Sequence, residues 1–210
     1  MIRVEHIEGS LYENAIWYGL PSGKNLPPRK SISKEKPSGV DYSEGCLTIF
    51  KNAYTTDNAY YCTLSDVALR IKNGNSKGLV EKIRETKDEK FKRELPSICF
   101  SGIFMTRNNA SLIKHSGYVV LDYDDLPDVN KFKEHICKCK YVAMAFTSPT
   151  GTGLKVVVKI NPSDHVSMCE QLGRYFPSDC LDLHTDVSRV CFESYDPDVY
   201  FNNNALMFNG

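Results

Sequence analysis

The feature that most constrains the fold is an alternation of strand-like and helix-like segments that begins at Gly117. Apolar runs rich in valine and aromatic residues are typical of strands, and two helix-like stretches each follow an aspartate that can cap a helix, Asp128 and Asp164. The resulting order, β-α-β-β-α-β, predicts one antiparallel sheet with both helices on one face. The predicted strands are GYVVLDYDD, YVAMAFTS, LKVVVKI and SRVCFES, and the predicted helices are VNKFKEHICKCK and HVSMCEQLGRYF.

Three regions follow one another along the chain. Residues 1–45 end in a stretch dominated by Pro, Gly, Ser and Lys, so we expect a loosely ordered arm, and its basic segment KNLPPRKSISKEK is either a solvated linker or a contact to a nucleic-acid backbone. Residues 46–116 form an N-terminal α/β lobe, with one helix capped by Thr63 and Asp66 and a longer charged helix that Pro96 ends. Residues 117–210 form a palm-like, RNA-recognition-motif-like core, so the predicted fold class is α/β (α+β).

Charge and hydropathy narrow the classes of function. With 26 basic and 26 acidic residues the formal net charge is zero, which argues against a protein that coats nucleic acid. It does not exclude an enzyme that grips DNA locally and concentrates acid at a metal site. No apolar run approaches the roughly 18 residues of a membrane span, and the N-terminus has no apolar signal core. The eight cysteines include no CxxC pair, so we expect reduced thiols in a cytoplasmic protein. Because the sequence has no long apolar run, we also expect no membrane partner.

An acidic pair follows the first predicted strand of the core. In VVLDYDD, residues i and i+2 of a strand point to the same side, so Asp122 and Asp124 project together, whereas Asp125 faces the other way. Two carboxylates at this spacing repel each other unless a cation joins them, and Mg²⁺ or Mn²⁺ is the hard cation that oxygen ligands favour. A strand end that runs into an acidic turn is the alternative interpretation.

A glycine-rich turn between the next two strands is the second motif. In SPTGTGLK, Gly151 and Gly153 allow a tight turn whose N–H groups can approach a phosphate, and Lys155 adds a positive charge beside it. The spacing is not that of a Walker A loop. A hairpin turn with exposed lysines is the alternative interpretation.

The third motif is an acidic turn before the last predicted strand. In LDLHTDVSRV, a third carboxylate, from Asp182 or Asp186, would complete a site for two metal ions, and Arg189 is placed to steady a phosphate or the acids themselves. An ordinary acidic loop with a salt-bridged arginine is the alternative interpretation.

Taken in order, the three motifs resemble those of the archaeo-eukaryotic primase (primase–polymerase) superfamily. In that superfamily an apolar strand ends in D-x-D or D-x-E, a small glycine-rich turn ends in a basic residue, and an apolar residue followed by Asp precedes an Arg-bearing strand. Here they read VVLDYD, SPTGTGLK and LD-LHTD-VSRVCFESYDP. The branch that the chain resembles most is the one at the N-terminus of VirE-like and primase–helicase proteins of bacterial mobile elements, with the resemblance strongest over residues 95–203.

The resemblance implies roles for individual residues. Many members of the superfamily have histidine where this chain has Lys155, which puts nucleotide affinity or selectivity in doubt, because lysine is a point charge and not a ring donor. The choice of third acid between Asp182 and Asp186 stays open. The implied catalytic residues are Asp122, Asp124, Asp182 and Asp186, with Asp122, Asp124 and Asp182 as ligands of Mg²⁺ or Mn²⁺, and the implied nucleotide-binding residues are Ser148, Gly151, Gly153, Lys155 and Arg189.

The implied activity is template-dependent nucleotidyl transfer by a two-metal mechanism, as a DNA primase or polymerase in the replication of a mobile element. The implied partners are nucleoside triphosphates, a single-stranded DNA template, and a helicase domain or protein. Two other functions suit the same motifs. A palm-fold nucleotidyl cyclase would need no template, and a degenerate non-catalytic domain would only bind nucleic acid. In the second case bases would stack on the C-terminal aromatic side chains, which are otherwise core and edge residues: Tyr195, Tyr200, Phe201 and Phe208.

Overall fold

The computed structural model describes residues 45–210, and apart from Gly45 the predicted arm at residues 1–45 lies outside the described residues. The described part contains three sheets, five α-helices and a short 3₁₀ turn. The strands are β1 (Cys46–Phe50), β2 (Tyr60–Thr63), β3 (Ser97–Cys99), β4 (Gly102–Phe104), β5 (Leu112–His115), β6 (Tyr118–Tyr123), β7 (Val142–Thr147), β8 (Leu154–Lys159), β9 (Leu181–Asp182), β10 (Cys191–Phe192) and β11 (Tyr200–Phe201). The helices are α1 (Leu64–Asn73), α2 (Lys77–Thr86), α3 (Glu89–Lys92), α4 (Val129–Ile136) and α5 (His165–Tyr175).

The five-stranded sheet is the predicted palm-like core. Its strand order is β11-β7-β8-β6-β9, and every neighbouring pair is antiparallel. Helix α4 connects β6 to β7 and helix α5 connects β8 to β9, so each helix carries the chain across one intervening strand. This is the β-α-β-β-α-β arrangement expected from the sequence, and the α/β (α+β) fold class is confirmed.

The last strand of the core differs from the prediction. The segment SRVCFES was expected there, but the fourth position belongs to the shorter β9, which pairs with β6. Strand β10, from the predicted segment, instead pairs with β3 in the four-stranded sheet of the lobe, whose order is β10-β3-β1-β2. Cys191 is buried there within the core that the lobe shares with the five-stranded sheet. The apolar pattern of SRVCFES therefore reflects burial of this segment in the lobe. Strand β9 has only 2 residues, which is too few to show a strand pattern in the sequence.

The long charged helix predicted before Pro96 is broken into α2 and α3. Lys87 takes a left-handed conformation with φ of 57°. Asp88 then caps α3, because its carboxylate accepts the backbone N–H of Lys90 at 2.9 Å. Such a side-chain cap competes with continuation of the preceding helix. The break places Lys92, at the end of α3, on the wall of the cleft described below.

The two faces of the five-stranded sheet pack against different layers. Along β6, Val119, Leu121 and Tyr123 belong to the core that includes residues of α4 and α5. The alternate residues Tyr118 and Val120 pack on the opposite side, against the core that includes residues of β1 and α1. Because side chains alternate along a strand, the next position in this second series, the first acid of the D-x-D motif, also turns toward the lobe.

All eight cysteines lie within the described residues as free thiols, and five of them are buried. Burial raises the pKa of the Cys191 thiol to about 11. A thiol in this state is protonated at neutral pH and is a poor nucleophile, which suits a packing role. Among residues 45–210, the helices are too short or too polar to cross a lipid bilayer.

Candidate active site

A row of charged side chains crosses three neighbouring strands of the five-stranded sheet. Asp122 on β6 is in register with Lys155 on β8 on one side and with Asp182 on β9 on the other. Directly opposed residues in an antiparallel pair project from the same face, so these side chains share the face that turns toward the lobe. Asp124 continues the series, since its backbone N–H donates to the carbonyl oxygen of Cys180 at 2.9 Å. The structure therefore brings the D-x-D pair, Asp182 and the lysine together.

The structure separates the two rival third acids. Asp182 is paired with β6, whereas Asp186 lies in the connection between β9 and β10. The carboxylate of Asp186 accepts the backbone N–H and the hydroxyl of Ser188, both at 3.4 Å, and its carbonyl oxygen accepts the N–H of Arg189 at 3.0 Å. Asp186 thus stabilises its own turn, and it is Asp182 that lines the cleft beside the D-x-D motif.

All three acids of the row lie beside a basic side chain. The ammonium group of Lys155 forms an ion pair with Asp122 Oδ1 and lies 3.8 Å from Asp124 Oδ1. Nε2 of His184 lies 2.8 Å from Oδ2 of Asp182. The lysine is the most enclosed of the charged groups, because its side chain is 9% exposed against 21% for Asp122 and 53% for Asp124. Lys155 is therefore held inside the row and is not an exposed hairpin residue.

The pKa values of the site reflect burial first and the neighbouring charges second. Burial raises the pKa of the Asp124 carboxyl, and the negative charge of Asp182 adds to the rise, whereas Lys92 opposes it. Burial lowers the pKa of Lys155, and the positive charges of Lys92 and Arg189 act in the same direction, against Asp182. A carboxyl whose pKa is raised by burial beside another carboxylate is one whose charged form a bound cation would stabilise.

The glycine-rich turn, residues 148–153, lies directly against the aspartates. A β-carbon on Gly153 would collide with the carbonyl oxygen of Tyr123 and would lie 3.2 Å from Oδ1 of Asp124. Only glycine permits so close an approach of the turn to β6. The N–H of Gly153 donates to Oγ of Ser148 at 3.1 Å, and the N–H of Gly151 donates to the carbonyl oxygen of Ser148 at 3.0 Å.

The amide hydrogens of both glycines are therefore engaged within the turn. An anion bound beside it would meet hydroxyl groups first. The hydroxyls of Ser148 and Thr150 lie 2.9 Å apart, and both residues line the cleft. The sequence pattern predicted the turn, but the glycines are required by packing against β6 and by a left-handed conformation at Gly151, whose φ is +83°.

Arg84 of α2, which no sequence pattern indicated, supports this turn from the lobe. Its Nη2 donates to the carbonyl oxygens of Ser148 at 3.2 Å and of Tyr195 at 3.0 Å. Its Nε is buried without a hydrogen-bond partner among the described residues, and a β-carbon on Gly151 would lie 3.4 Å from that atom. Burial lowers the pKa of Arg84. The contact to Ser148 joins residues 64 positions apart, so no local pattern reveals it.

A buried ion pair holds the end of β7 behind the turn. Nζ of Lys133 lies 2.7 Å from Oδ2 of Asp196, which also accepts the backbone N–H of Thr147 at 2.8 Å. Burial alone would raise the pKa of Asp196, but the hydrogen bonds from Lys133 and Thr147 outweigh it, so the pKa is lowered. This acid at the end of the third motif is therefore a structural residue that fixes where β7 meets the turn.

A cleft of about 240 Å³ lies over the charged row. Asp122, Asp124 and Asp182 line it together with the bases Lys92 and Arg189. Arg189 was predicted, whereas Lys92 belongs to the long charged helix, in which the sequence analysis named no site residue. The volume is below the roughly 300–1,000 Å³ of complete small-molecule sites, which suits the polyphosphate end of a ligand better than a whole nucleotide.

The part of the chain that carries the cleft also identifies its family. Residues 90–201 match the family model of the BT4734-like N-terminal domain. This range is more than half of the 210 residues and contains every residue that lines the cleft. The chain belongs to the BT4734-like N-terminal domain family. No curated protein and no solved structure matches the chain. The matched range of the BT4734-like domain begins after α2, so Arg84 lies outside it.

The donor set of this BT4734-like domain fits a hard divalent cation. Carboxylates in register across β6 and β9, with Asp124 beside them, are the oxygen ligands that Mg²⁺ and Mn²⁺ favour. In the side-chain conformations of residues 45–210, no three His, Cys, Asp or Glu side chains converge on a common position for a metal ion. The side-chain contacts show why, since Asp122 is turned to Lys155 and Asp182 to His184. A bound cation would have to exchange these partners.

Proposed function

We propose that this BT4734-like domain is a divalent-metal-dependent nucleotidyltransferase of the primase–polymerase type, which adds nucleotides on a single-stranded DNA template. The observation that carries the proposal is the cross-strand row, in which Asp182 lies in register beside Asp122 at one end of a palm-like antiparallel sheet. The motif order along the chain is one source of support. The spatial convergence of the motifs is a second source, because strand register does not depend on sequence resemblance.

The residues of the cleft divide the proposed work between acids and bases. The acids would hold Mg²⁺ or Mn²⁺, which when bound lowers the pKa of an attacking hydroxyl and offsets negative charge on the reacting phosphate. The bases and hydroxyls would orient the triphosphate and neutralise charge that develops on it. The proposed metal ligands are Asp122, Asp124 and Asp182, and the proposed phosphate contacts are Lys92, Lys155, Arg189, Ser148 and Thr150.

Incorporation of labelled nucleotides on single-stranded DNA, with Mg²⁺ or Mn²⁺ and with or without a primer, tests the proposal. Asp122→Asn and Asp182→Asn keep the size of the side chain but remove its charge, and we expect both to reduce product to background. Asp186→Asn is the matched control, because Asp186 stabilises its own turn outside the cleft and its loss leaves the row intact. Full activity of Asp122→Asn, or loss of activity only in Asp186→Asn, would refute the proposal.

The same assay separates the two other functions. A nucleotidyl cyclase would give a metal-dependent product without template. A non-catalytic binding domain would give no product, and its affinity for DNA would be unchanged in Asp122→Asn. Stacking on the C-terminal aromatics has limited support, since Phe208 is buried and Tyr195 lies under the ammonium group of Lys77 at 5.2 Å. Phe201 is exposed, but it lies on β11, at the sheet edge opposite β9.

A further inference from the structure

Lys155 places a positive charge next to the carboxylates of the row. Its ammonium group pairs with Asp122 and lies within 3.8 Å of Asp124, and its side chain is almost fully enclosed. Carboxylates this close together repel each other, and a positive charge between them removes that cost. In this conformation the lysine supplies the positive charge that the acids require.

A divalent ion and this ammonium group compete for the same oxygen atoms. A metal ligand must direct a lone pair at the metal, and Asp122 Oδ1 is already engaged by Lys155. The two cations would also repel each other at the few ångströms that both would lie from Asp122. Because of this competition and this repulsion, binding of the metal to Asp122 and Asp124 favours movement of the lysine out of its present position.

Once Asp122, Asp124 and Asp182 hold a metal ion, the cleft offers the lysine a second partner only when a ligand is present. Lysine has a flexible four-carbon stem and three rotatable donors, so its ammonium group can move while the backbone of β8 stays in place. The rest of the cleft contributes the bases Lys92 and Arg189 and the hydroxyls of Ser148 and Thr150, none of which accepts an ion pair from lysine. A phosphate group held by these residues would.

We propose that Lys155 is a tethered counter-ion that neutralises Asp122 and Asp124 before ligands bind, and that a divalent cation displaces it onto the phosphate of the incoming nucleotide. This inference rests on the metal site of the proposed function. As a consequence, metal binding and nucleotide binding are coupled. The metal alone binds weakly because it must break the ion pair between Lys155 and Asp122, and the nucleotide strengthens metal binding because it gives the lysine a new partner. Coupling of this kind is reciprocal, so metal strengthens nucleotide binding by the same factor.

Titration of the whole chain with Mn²⁺ alone, followed by electron paramagnetic resonance or calorimetry, measures the competition without any catalytic activity. Lys155→Met removes the charge and keeps the length of the side chain. We expect it to bind Mn²⁺ about tenfold to a hundredfold more tightly than the unaltered chain, the factor that corresponds to loss of one charged hydrogen bond. Lys159→Met is the matched control, because Lys159 lies on the same face of β8 four residues away and pairs in register with Tyr118, and its affinity should be unchanged.

A second variant guards against poor folding of the first. Lys155→Gln removes the charge but keeps a hydrogen-bond donor for Asp122, and its Mn²⁺ affinity should fall between those of the unaltered chain and Lys155→Met. Thermal unfolding gives an independent measure, since Mn²⁺ should raise the melting temperature of both Lys155 variants by more than it raises that of the unaltered chain.

The outcomes distinguish the inference from the proposed function. Equal or weaker Mn²⁺ binding by the Lys155 variants, with binding abolished in Asp122→Asn, overturns the counter-ion role and leaves the metal site standing. Absence of Mn²⁺ binding in every variant overturns both. Tighter binding in Lys155→Met with no change in Lys159→Met supports the inference.

Discussion

Replacement of Arg84 by Met tests whether the lobe positions the glycine-rich turn. The guanidinium group of Arg84 donates to the carbonyl oxygens of Ser148 and Tyr195 at 3.2 and 3.0 Å. Methionine retains much of the apolar stem but makes neither bond. Arg84→Met therefore removes the contacts by which α2 holds the turn and the segment before Asp196.

The expected change in the free energy of unfolding is the stabilisation lost with the hydrogen bonds, minus the desolvation cost that the replacement of Arg84 relieves. A hydrogen bond from a charged donor contributes about 1.5–3 kcal/mol, and two such bonds are lost. Part of this loss is offset, because Nε is buried without a partner among the described residues and its removal relieves about 1–3 kcal/mol. We expect a net destabilisation of about 2–3 kcal/mol, which in a domain of this size lowers the melting temperature by roughly 5–10 °C.

Thermal and urea unfolding of the whole chain measure this loss, with Lys72→Met as the matched control. Lys72 lies exposed in the last turn of α1, so its replacement should change the free energy of unfolding by less than about 0.5 kcal/mol. If the proposed activity holds, Arg84→Met should raise KM for the nucleotide more than it lowers kcat, because Arg84 positions the turn without lining the cleft. A melting temperature equal to that of Lys72→Met would refute the idea that Arg84 positions the turn.

Two further predictions concern the turn and the response to acid. Gly153→Ala should destabilise the fold by about 1–3 kcal/mol in urea unfolding, because its β-carbon would collide with the carbonyl oxygen of Tyr123, whereas Gly78→Ala, where a β-carbon meets nothing within 4 Å, should be neutral or stabilising. Equal effects of the two changes would contradict this. Burial, with a smaller contribution from His165, lowers the pKa of His115 from 6.5 to about 4, so the unfolded chain takes up the proton first. Neutral His115 should therefore contribute about 2 kcal/mol to the free energy of unfolding, after allowance for its partial exposure. This contribution should be complete above pH 6.5 and lost as the pH falls through about 4. If the free energy of unfolding depends on pH in the same way in His115→Gln, this prediction is wrong.

Much of the fold could be predicted because its signals are local. Alternation in VVLDYD fixes which side chains of β6 face α4 and α5, and it places Asp122 and Asp124 on one side. The caps of α1, α4 and α5 depend on an aspartate or threonine and on amides no more than three residues away. The break between α2 and α3 was missed, although Asp88 is a local cap, because the whole charged segment was interpreted as one helix that Pro96 ends.

It was harder to predict which sheet each strand joins than to predict where the strands lie in the sequence. SRVCFES has the composition of a strand, and β10 forms within it, but β10 joins the lobe, whereas the inconspicuous β9 completes the core. Strand pairing depends on contacts with segments that are distant in the sequence, and the pattern of a single segment does not show them.

For the site, the sequence by itself determined which residue types were available: a D-x-D pair at the end of a strand, a turn that tolerates a close approach, and two candidate third acids. Only the tertiary structure decided that Asp182 and not Asp186 stands beside Asp122, that Lys155 is buried in an ion pair, and that Lys92 and Arg84 reach the cleft and its turn from the lobe. The physical reason is that charge interactions depend on distances through space. Cross-strand register and the packing of the lobe set those distances, and spacing along the chain does not.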